Sequence, residues 1–296
     1  MNTTDLQRKI KEIFGHDSLD WLDRSYIFDW VVAACFWGLS GFVGHLPVYE
    51  RQFTTQDSLI SHPHVSQQIS GVVNHTIALY IPFAFVGVVG VLRRSVLNIH
   101  HGVLAVWAGC GLGRLITEFL KYKVGRLRPD FLSRCRWDEV VQACTGKASD
   151  ILDGRKSFPS GHSSTAFAGM TFLALFLAGQ TAAWCFSAPI PQSSWLGSRL
   201  SRFAVTLAPL FWATWVAISR LEDYRHHKED IIVGSLIGIM SSCICFHIYW
   251  PSPFSARSFV TEYAGHARMV YGSADDGRLR NDGFELTGLQ DETDNV

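Results

Sequence analysis

The sequence predicts an all-α fold: an integral membrane six-helix bundle with its active site at one membrane face. Three observations predict it. Long apolar stretches almost free of charge alternate with short segments that hold most of the Lys, Arg, Asp and Glu. About six of those stretches approach the roughly 20 residues that a helix needs to cross a bilayer core. The polar segments richest in reactive side chains fall around the third and fifth connections, which a six-span chain places on one side.

The stretches run near residues 28–46, 72–92, 99–119, 164–186, 203–218 and 231–250. Any one of them reads equally as a buried helix of a soluble core, but six in one chain point to a membrane. The first two carry Gly38, Gly41, Gly44, Gly87 and Gly90, expected to let helices approach closely in lipid. Trp30, Trp37, Trp107, Trp212 and Trp250 read as interface belts and bundle packing. The chain thus divides into an N-terminal arm (1–27), a six-span domain (28–250) and a polar tail (251–296) whose composition predicts disorder.

The 26 Lys and Arg are balanced by 26 Asp and Glu, so no charge excess points to nucleic acid. Basic residues near the spans set the expected orientation. Arg8, Lys9, Lys11 and Arg24, then Arg93 and Arg94, then Arg199 and Arg202 read as cytoplasmic, whereas the first connection has only Arg51. Residues 120–163 are rich in Lys and Arg and depart from the rule, because their charges have a second use. A cytoplasmic N-terminus then puts the third and fifth connections on the lumenal or extracellular side of a membrane (vacuole, ER, Golgi or plasma membrane). The arm shows no apolar core of signal-peptide type, so the first span is expected to target the chain. The seven cysteines form no CxxC pair, which argues against a zinc site. Cys135 and Cys144 share one polar loop and are either a disulfide or two free thiols. The sequons at Asn2 and Asn74 are poor glycosylation acceptors, the first on the wrong side and the second too near the membrane.

Three polar clusters carry the chemistry. Lys121, Lys123, Arg126 and Arg128 follow the third span directly. They suit either a headgroup anchor or a phosphate clamp in which Arg128 binds by two parallel bonds and Lys121 as a point charge. Ser157-Phe-Pro-Ser-Gly-His162 opens the fourth span. It suits either a serine-capped helix with His162 at the membrane interface, or an anion site in which the helix N-terminus offers unpaired N–H groups and a positive dipole end, with Ser160 beside it and Gly161 letting the anion come close. Ser219 to Asp230 joins the last two spans and holds Arg220, His226 and His227. His226 and Asp230 are four residues apart. On one helix face, Asp230 would accept a hydrogen bond from one ring nitrogen and leave the other as a nucleophile. His227 points about 100° away on an ideal helix and reads as structural or as a headgroup contact.

At these residues the sequence resembles the type-2 phosphatidic acid phosphatase superfamily, and within it the lipid phosphate phosphatases. The three motifs, Lys-x6-Arg-Pro, Pro-Ser-Gly-His and Ser-Arg-x5-His-x3-Asp, are complete as Lys121 to Pro129, Pro159 to His162, and Ser219 to Asp230. The resemblance covers about residues 28–250, and the string Asp223-Tyr-Arg-His-His227 is similar to fungal and plant members acting on diacylglycerol pyrophosphate and phosphatidate. It implies that His226 attacks phosphorus to form a phosphohistidine, that Asp230 supports the resulting cation, and that His162 serves as acid and then base. Lys121, Arg128, Arg220, Ser160 and the Gly161 amide would hold the phosphate. It implies a phospholipid substrate in the bilayer, with no cofactor and no metal ion.

Three alternatives remain. A phosphatase of a soluble sugar phosphate would use the same groups, a vanadate-dependent haloperoxidase would share the anion site without the spans, and a non-catalytic scaffold or transporter would not need both histidines. Two further expectations concern charge. Arg114 and Glu118, spaced i,i+4, are expected either to pair within the membrane or to snorkel, and Glu222 and Asp223 to pair with Arg225 or another cation.

Overall fold

Four spanning helices begin at a serine, the residue best suited to accept a hydrogen bond from an unpaired first-turn N–H. A computed structural model describes residues 22–187, 197–259 and 264–271. Among these are eight α-helices: α1 (Ser25–Val43), α2 (Gly71–Leu92), α3 (Val96–Val124), α4 (Phe131–Cys135), α5 (Ala148–Gly154), α6 (Gly161–Thr181), α7 (Arg199–Glu222) and α8 (Lys228–Tyr249). Ser70, Ser95, Ser160 and Ser198 cap α2, α3, α6 and α7 by accepting from Val73, Asn98, Ser163 and Ser201. α3 stops at Gly125, whose φ of 57° only glycine adopts at little cost. The protein is an all-α multi-pass membrane protein. The six helices other than α4 and α5 are long and apolar enough to span.

α6 is the axis of the bundle, with α2, α3, α7 and α8 packed around it. Phe172 and Phe176 on α6 are buried against Phe246 and Trp250 at the end of α8, with ring centroids 5.1–5.6 Å apart across the pairs Phe172–Phe246 and Phe176–Trp250. Trp37 stacks on Trp107 at 4.7 Å, so these tryptophans pack the bundle as expected. The glycines singled out in the first two spans mostly do not. A Cβ added at Gly38, Gly41 or Gly87 would meet nothing within 4 Å. Close approach is instead made on the central helices, where a Cβ at Gly169 would lie 1.9 Å from the Ala78 carbonyl oxygen. One at Gly234 would lie 2.4 Å from that of Ser160. The second contact presses α8 against the N-terminus of α6 and brings two of the three motifs together.

The connections after α1, α3 and α7 meet at one end of the bundle. Between α3 and α6, β1 (Trp137–Asp138) and β2 (Ala143–Cys144) form a short antiparallel hairpin, and Cys135 and Cys144 are disulfide-bonded. The first connection folds over this end. His62 N–H donates to Pro129 O at 2.9 Å, Gln68 N–H to Asp223 at 3.0 Å, and Arg225 to Val65 O at 3.2 Å. At the opposite end, residues 264–271 are docked rather than loose. Ala267 N–H donates to Asn98, Gln180 to Gly265 O, and Tyr271 to Asp29 at 3.0 Å. The predicted disorder of the tail therefore fails for this stretch. Residues 251–259 are also described and end in a single 3-10 turn, Ala256–Phe259. The expectation for 260–263 and 272–296, like the Asn2 sequon and most of the N-terminal arm, lies outside the described residues. Asn74 lies inside α2, buried, with its amide donating to His162 O.

Replacing Gly234 by Val forces branched carbons into the Ser160 carbonyl, and overpacking of this kind costs about 1–3 kcal/mol. The expected outcome is a lower thermal midpoint in detergent, with Gly41→Val unchanged as the control because space there is open.

Candidate active site

The site is organised by Asp230, the third residue of α8, which is fully buried. Its Oδ1 accepts from the Arg126 guanidinium at 2.7 Å. Its Oδ2 accepts from the Ser157 hydroxyl and from the His227 N–H at 3.1 Å. His227 is the N-cap of α8, and its Nε2 faces Leu59 O at 3.2 Å, so the structural role expected for it holds. The Asp230 main-chain carbonyl accepts from Ser160 N–H at 2.9 Å. One residue thereby ties the ends of α3, α6 and α8 together.

His226 precedes α8 instead of lying on it. Its Nδ1 is 2.7 Å from the Ser157 carbonyl oxygen and 3.8 Å from Asp230 Oδ2. The direct hydrogen bond expected from His226 to Asp230 is replaced by one to a main-chain oxygen, and the carboxylate is engaged by Arg126, Ser157 and the helix cap. The chemical result is the same. A carbonyl only accepts, so Nδ1 carries the proton and Nε2 keeps its lone pair. Burial pushes the His226 pKa down to about 4, against the opposing pull of Asp230.

His162 lies in the first turn of α6, and its buried Nε2 has no hydrogen-bond partner within the protein. Lys121 reaches this turn from α3. A Cβ at Gly161 would lie 2.8 Å from Lys121 Nζ, so the ammonium group comes up against the helix backbone where a side chain would make it shift. Ser160 is committed to its helix. Its hydroxyl accepts from the Ser163 N–H and hydroxyl, and its N–H goes to Asp230, which leaves its hydroxyl proton as the group to offer an anion.

The three cations assigned to the phosphate are each held by a carboxylate. Lys121 pairs with Glu118 at 2.7 Å, Arg128 with Asp153 at 2.9 Å, and Arg220 with Asp223 at 2.8 Å. Asp223 thus finds its cation on Arg220 and not on Arg225, while Glu222 accepts from Gln68 at 2.9 Å. Arg134 bridges Asp153 and Asp130, each at 2.8 Å. Burial raises the Asp153 pKa, but Arg128 and Arg134 outweigh it and hold the carboxyl below the ordinary range. Arg128 Nε and Arg225 Nε are buried and unpartnered, so the guanidinium groups retain donors beyond those their carboxylates use. Among the described residues no three His, Cys, Asp or Glu side chains are grouped as a metal ion would need.

A cavity of about 690 Å³ runs from Lys121, Gly161 and His162 down between α2 and α3 to Trp37 and Trp107. The structure thus brings Lys121, Ser160, Gly161 and His162 to one helix N-terminus, and His226, Asp230, Arg128 and Arg220 to the loops and helix ends around it.

The family model described as PAP2 superfamily matches residues 102–253, a span that contains all eight of these residues. The chain belongs to the PAP2 superfamily. It is 36% identical over 214 residues to a protein of Schizosaccharomyces pombe named probable diacylglycerol pyrophosphate phosphatase 1, covering 69% of this chain and 73% of that one. It is 31% identical over 218 residues to diacylglycerol pyrophosphate phosphatase 1 of Saccharomyces cerevisiae, covering 69% and 72%. With lipid phosphate phosphatase 1 of Arabidopsis thaliana the identity is 36% over 169 residues, 55% of this chain and about half (49%) of the relative. No solved structure matches.

Ser157, Arg126 and Asp153 are the parts of this PAP2 site that sequence reading missed. Ser157 and Arg126 stand inside the quoted segments, where an unassigned hydroxyl and an extra arginine were the available signals. Asp153, 25 residues from Arg128, carried none. Asp230→Ala leaves Arg126 and the Ser157 hydroxyl without their acceptor, and losing one partner of a buried pair costs about 3–5 kcal/mol. Ser157→Ala removes one hydrogen bond and costs about 1 kcal/mol. Thermal unfolding in detergent should rank the two in that order.

Proposed function

We propose that this PAP2 protein is a membrane phosphatase that hydrolyses phosphatidate, lysophosphatidate and diacylglycerol pyrophosphate through a phosphohistidine. The hydrogen bond from His226 Nδ1 to Ser157 O carries the proposal, since it presents Nε2 as a nucleophile fixed by backbone rather than by a mobile side chain. The Nε2 lone pair attacks phosphorus as the bond to the leaving oxygen breaks, and protonated His162 gives its proton to that oxygen. His162, now neutral, takes a proton from water. The hydroxide attacks phosphorus, the P–N bond breaks, and phosphate leaves. Asp230 stabilises the positive ring through the field it exerts at 3.8 Å. Lys121, Arg128, Arg220, Ser160 and the Gly161 amide hold the equatorial oxygens, the part a metal ion takes in other phosphoryl-transfer enzymes.

The names of the three relatives and the cavity reaching from the site between the helices support a lipid substrate over a soluble sugar phosphate. The presence of both His162 and His226 supports catalysis over a scaffold role. We assign the catalytic unit to the six spans and place the site on the lumenal or extracellular side. The Cys135–Cys144 disulfide at the same end supports that side, since such bonds persist in oxidising compartments.

Phosphate release by the detergent-solubilised full chain, with and without EDTA, on phosphatidate, lysophosphatidate, diacylglycerol pyrophosphate and glucose 6-phosphate tests the reading. Lipid turnover insensitive to EDTA is expected, with a loss of at least about a thousandfold in His226→Ala. Wild-type rates in that variant, or preference for glucose 6-phosphate, would sink it. The acidic limb of kcat/KM reports the free enzyme. Because the His226 pKa is lowered to about 4, the nucleophile stays neutral as pH falls through the ordinary histidine range near 6.5, so the limb assigned to it should fall well below that value. Asp230 pulls this pKa upward, so Asp230→Asn should move the same limb to still lower pH while reducing kcat.

A further inference from the structure

Arg114 is a cation within the third span, exposed on the surface of α3, and among the described residues no carboxylate lies within ion-pair distance of it. Glu118, the partner expected from the i,i+4 spacing, turns to Lys121 instead. A charge inside the hydrocarbon layer is costly unless something polar faces it. What the protein supplies is the face of Trp37, 5.6 Å from the guanidinium carbon, with His75 edge-on to the same indole at 5.6 Å. Trp37 is itself fixed by donating to Trp107 O at 3.1 Å.

All three side chains line the cavity that ends at Lys121, Gly161 and His162. The cavity opens sideways, because α1 and α2 each pack on the interior of the bundle but little on one another, and Val72 and Tyr80 on its rim are exposed. Arg114 lies seven residues before Lys121 on the same helix, about 10 Å deeper at 1.5 Å per residue. With the phosphate held at Lys121, that is the depth of the glycerol ester bonds and not of a second headgroup charge.

Resting on the lipid phosphatase reading above, we propose that Arg114, with His75, is a specificity-determining pair that donates hydrogen bonds to the acyl ester carbonyls of a glycerolipid substrate. The phosphate site would accept any monoester, and this pair selects those whose phosphate sits on an ester-linked glycerol. An ether-linked analogue of the same shape offers no carbonyl, and the donors are then left unpaired in a low-dielectric groove.

The test compares dioleoyl phosphatidate with its dialkyl ether analogue, at equal mole fraction in detergent micelles, using full-length wild type, Arg114→Lys and Arg114→Met. p-Nitrophenyl phosphate serves to measure whether the phosphate site remains assembled. Wild type is expected to favour the ester by about tenfold in kcat/KM, the fold-change that a hydrogen bond to a charged donor commonly carries. Arg114→Met should collapse the ratio to near one through KM on the ester, and Arg114→Lys should keep part of it. A wild-type ratio near one overturns the proposal even if Arg114→Met fails to fold, and so does an equal loss on both lipids in Arg114→Met. Release of phosphate from p-nitrophenyl phosphate but from neither lipid would overturn the lipid reading itself, a result distinct from either.

Discussion

The buried carboxylate of Asp230 is the constraint on which the rest of the site depends. A charged group at that depth is tolerated only if its lone pairs are filled. The groups that fill them come from the end of α3 (Arg126), the strand of chain before α6 (Ser157) and the cap of α8 (His227). Satisfying Asp230 therefore assembles the active site. The position of His226 follows, because the residue that gives its hydroxyl to Asp230 gives its carbonyl to the His226 ring.

A second consequence concerns the cations. Several positive side chains gathered at one end of the bundle repel one another, and left free they would spread toward water. Glu118, Asp153 and Asp223 each neutralise one of them and hold it in place, the arrangement that the proposed anion site would use. Preorganised charge of this kind costs no rearrangement when the reaction begins. Each pair still leaves donors on its cation, since a carboxylate oxygen takes only one or two of the N–H groups of a guanidinium.

Close backbone approach makes the same arrangement possible in lipid, where the hydrophobic effect does not drive helices together. Gly234 lets α8 lie against the Ser160 backbone, at the site end of the bundle. At the other end the segment 264–271 closes the helix ends through Asn98, Gln180 and Asp29, so a stretch of polar chain after the last span is structural.

What the sequence by itself determined was whatever depends on spacing along the chain. Six apolar stretches of bilayer length and three motifs on connections of one side are local or topological facts, and 3.6-residue periodicity and alternating direction translate them into structure. Whatever depends on which distant segments meet was decided only by the tertiary structure. Arg126 joins Asp230 across 104 positions in the chain and Asp153 joins Arg128 across 25, with no periodicity to mark either pair. The same limit misled the reading at Glu118, where the spacing allowed Arg114 and Lys121 alike, and at His226, where spacing alone suggested Asp230. The tertiary structure made the choice in both cases. It moved the histidine onto a carbonyl and left a membrane-embedded arginine facing the groove.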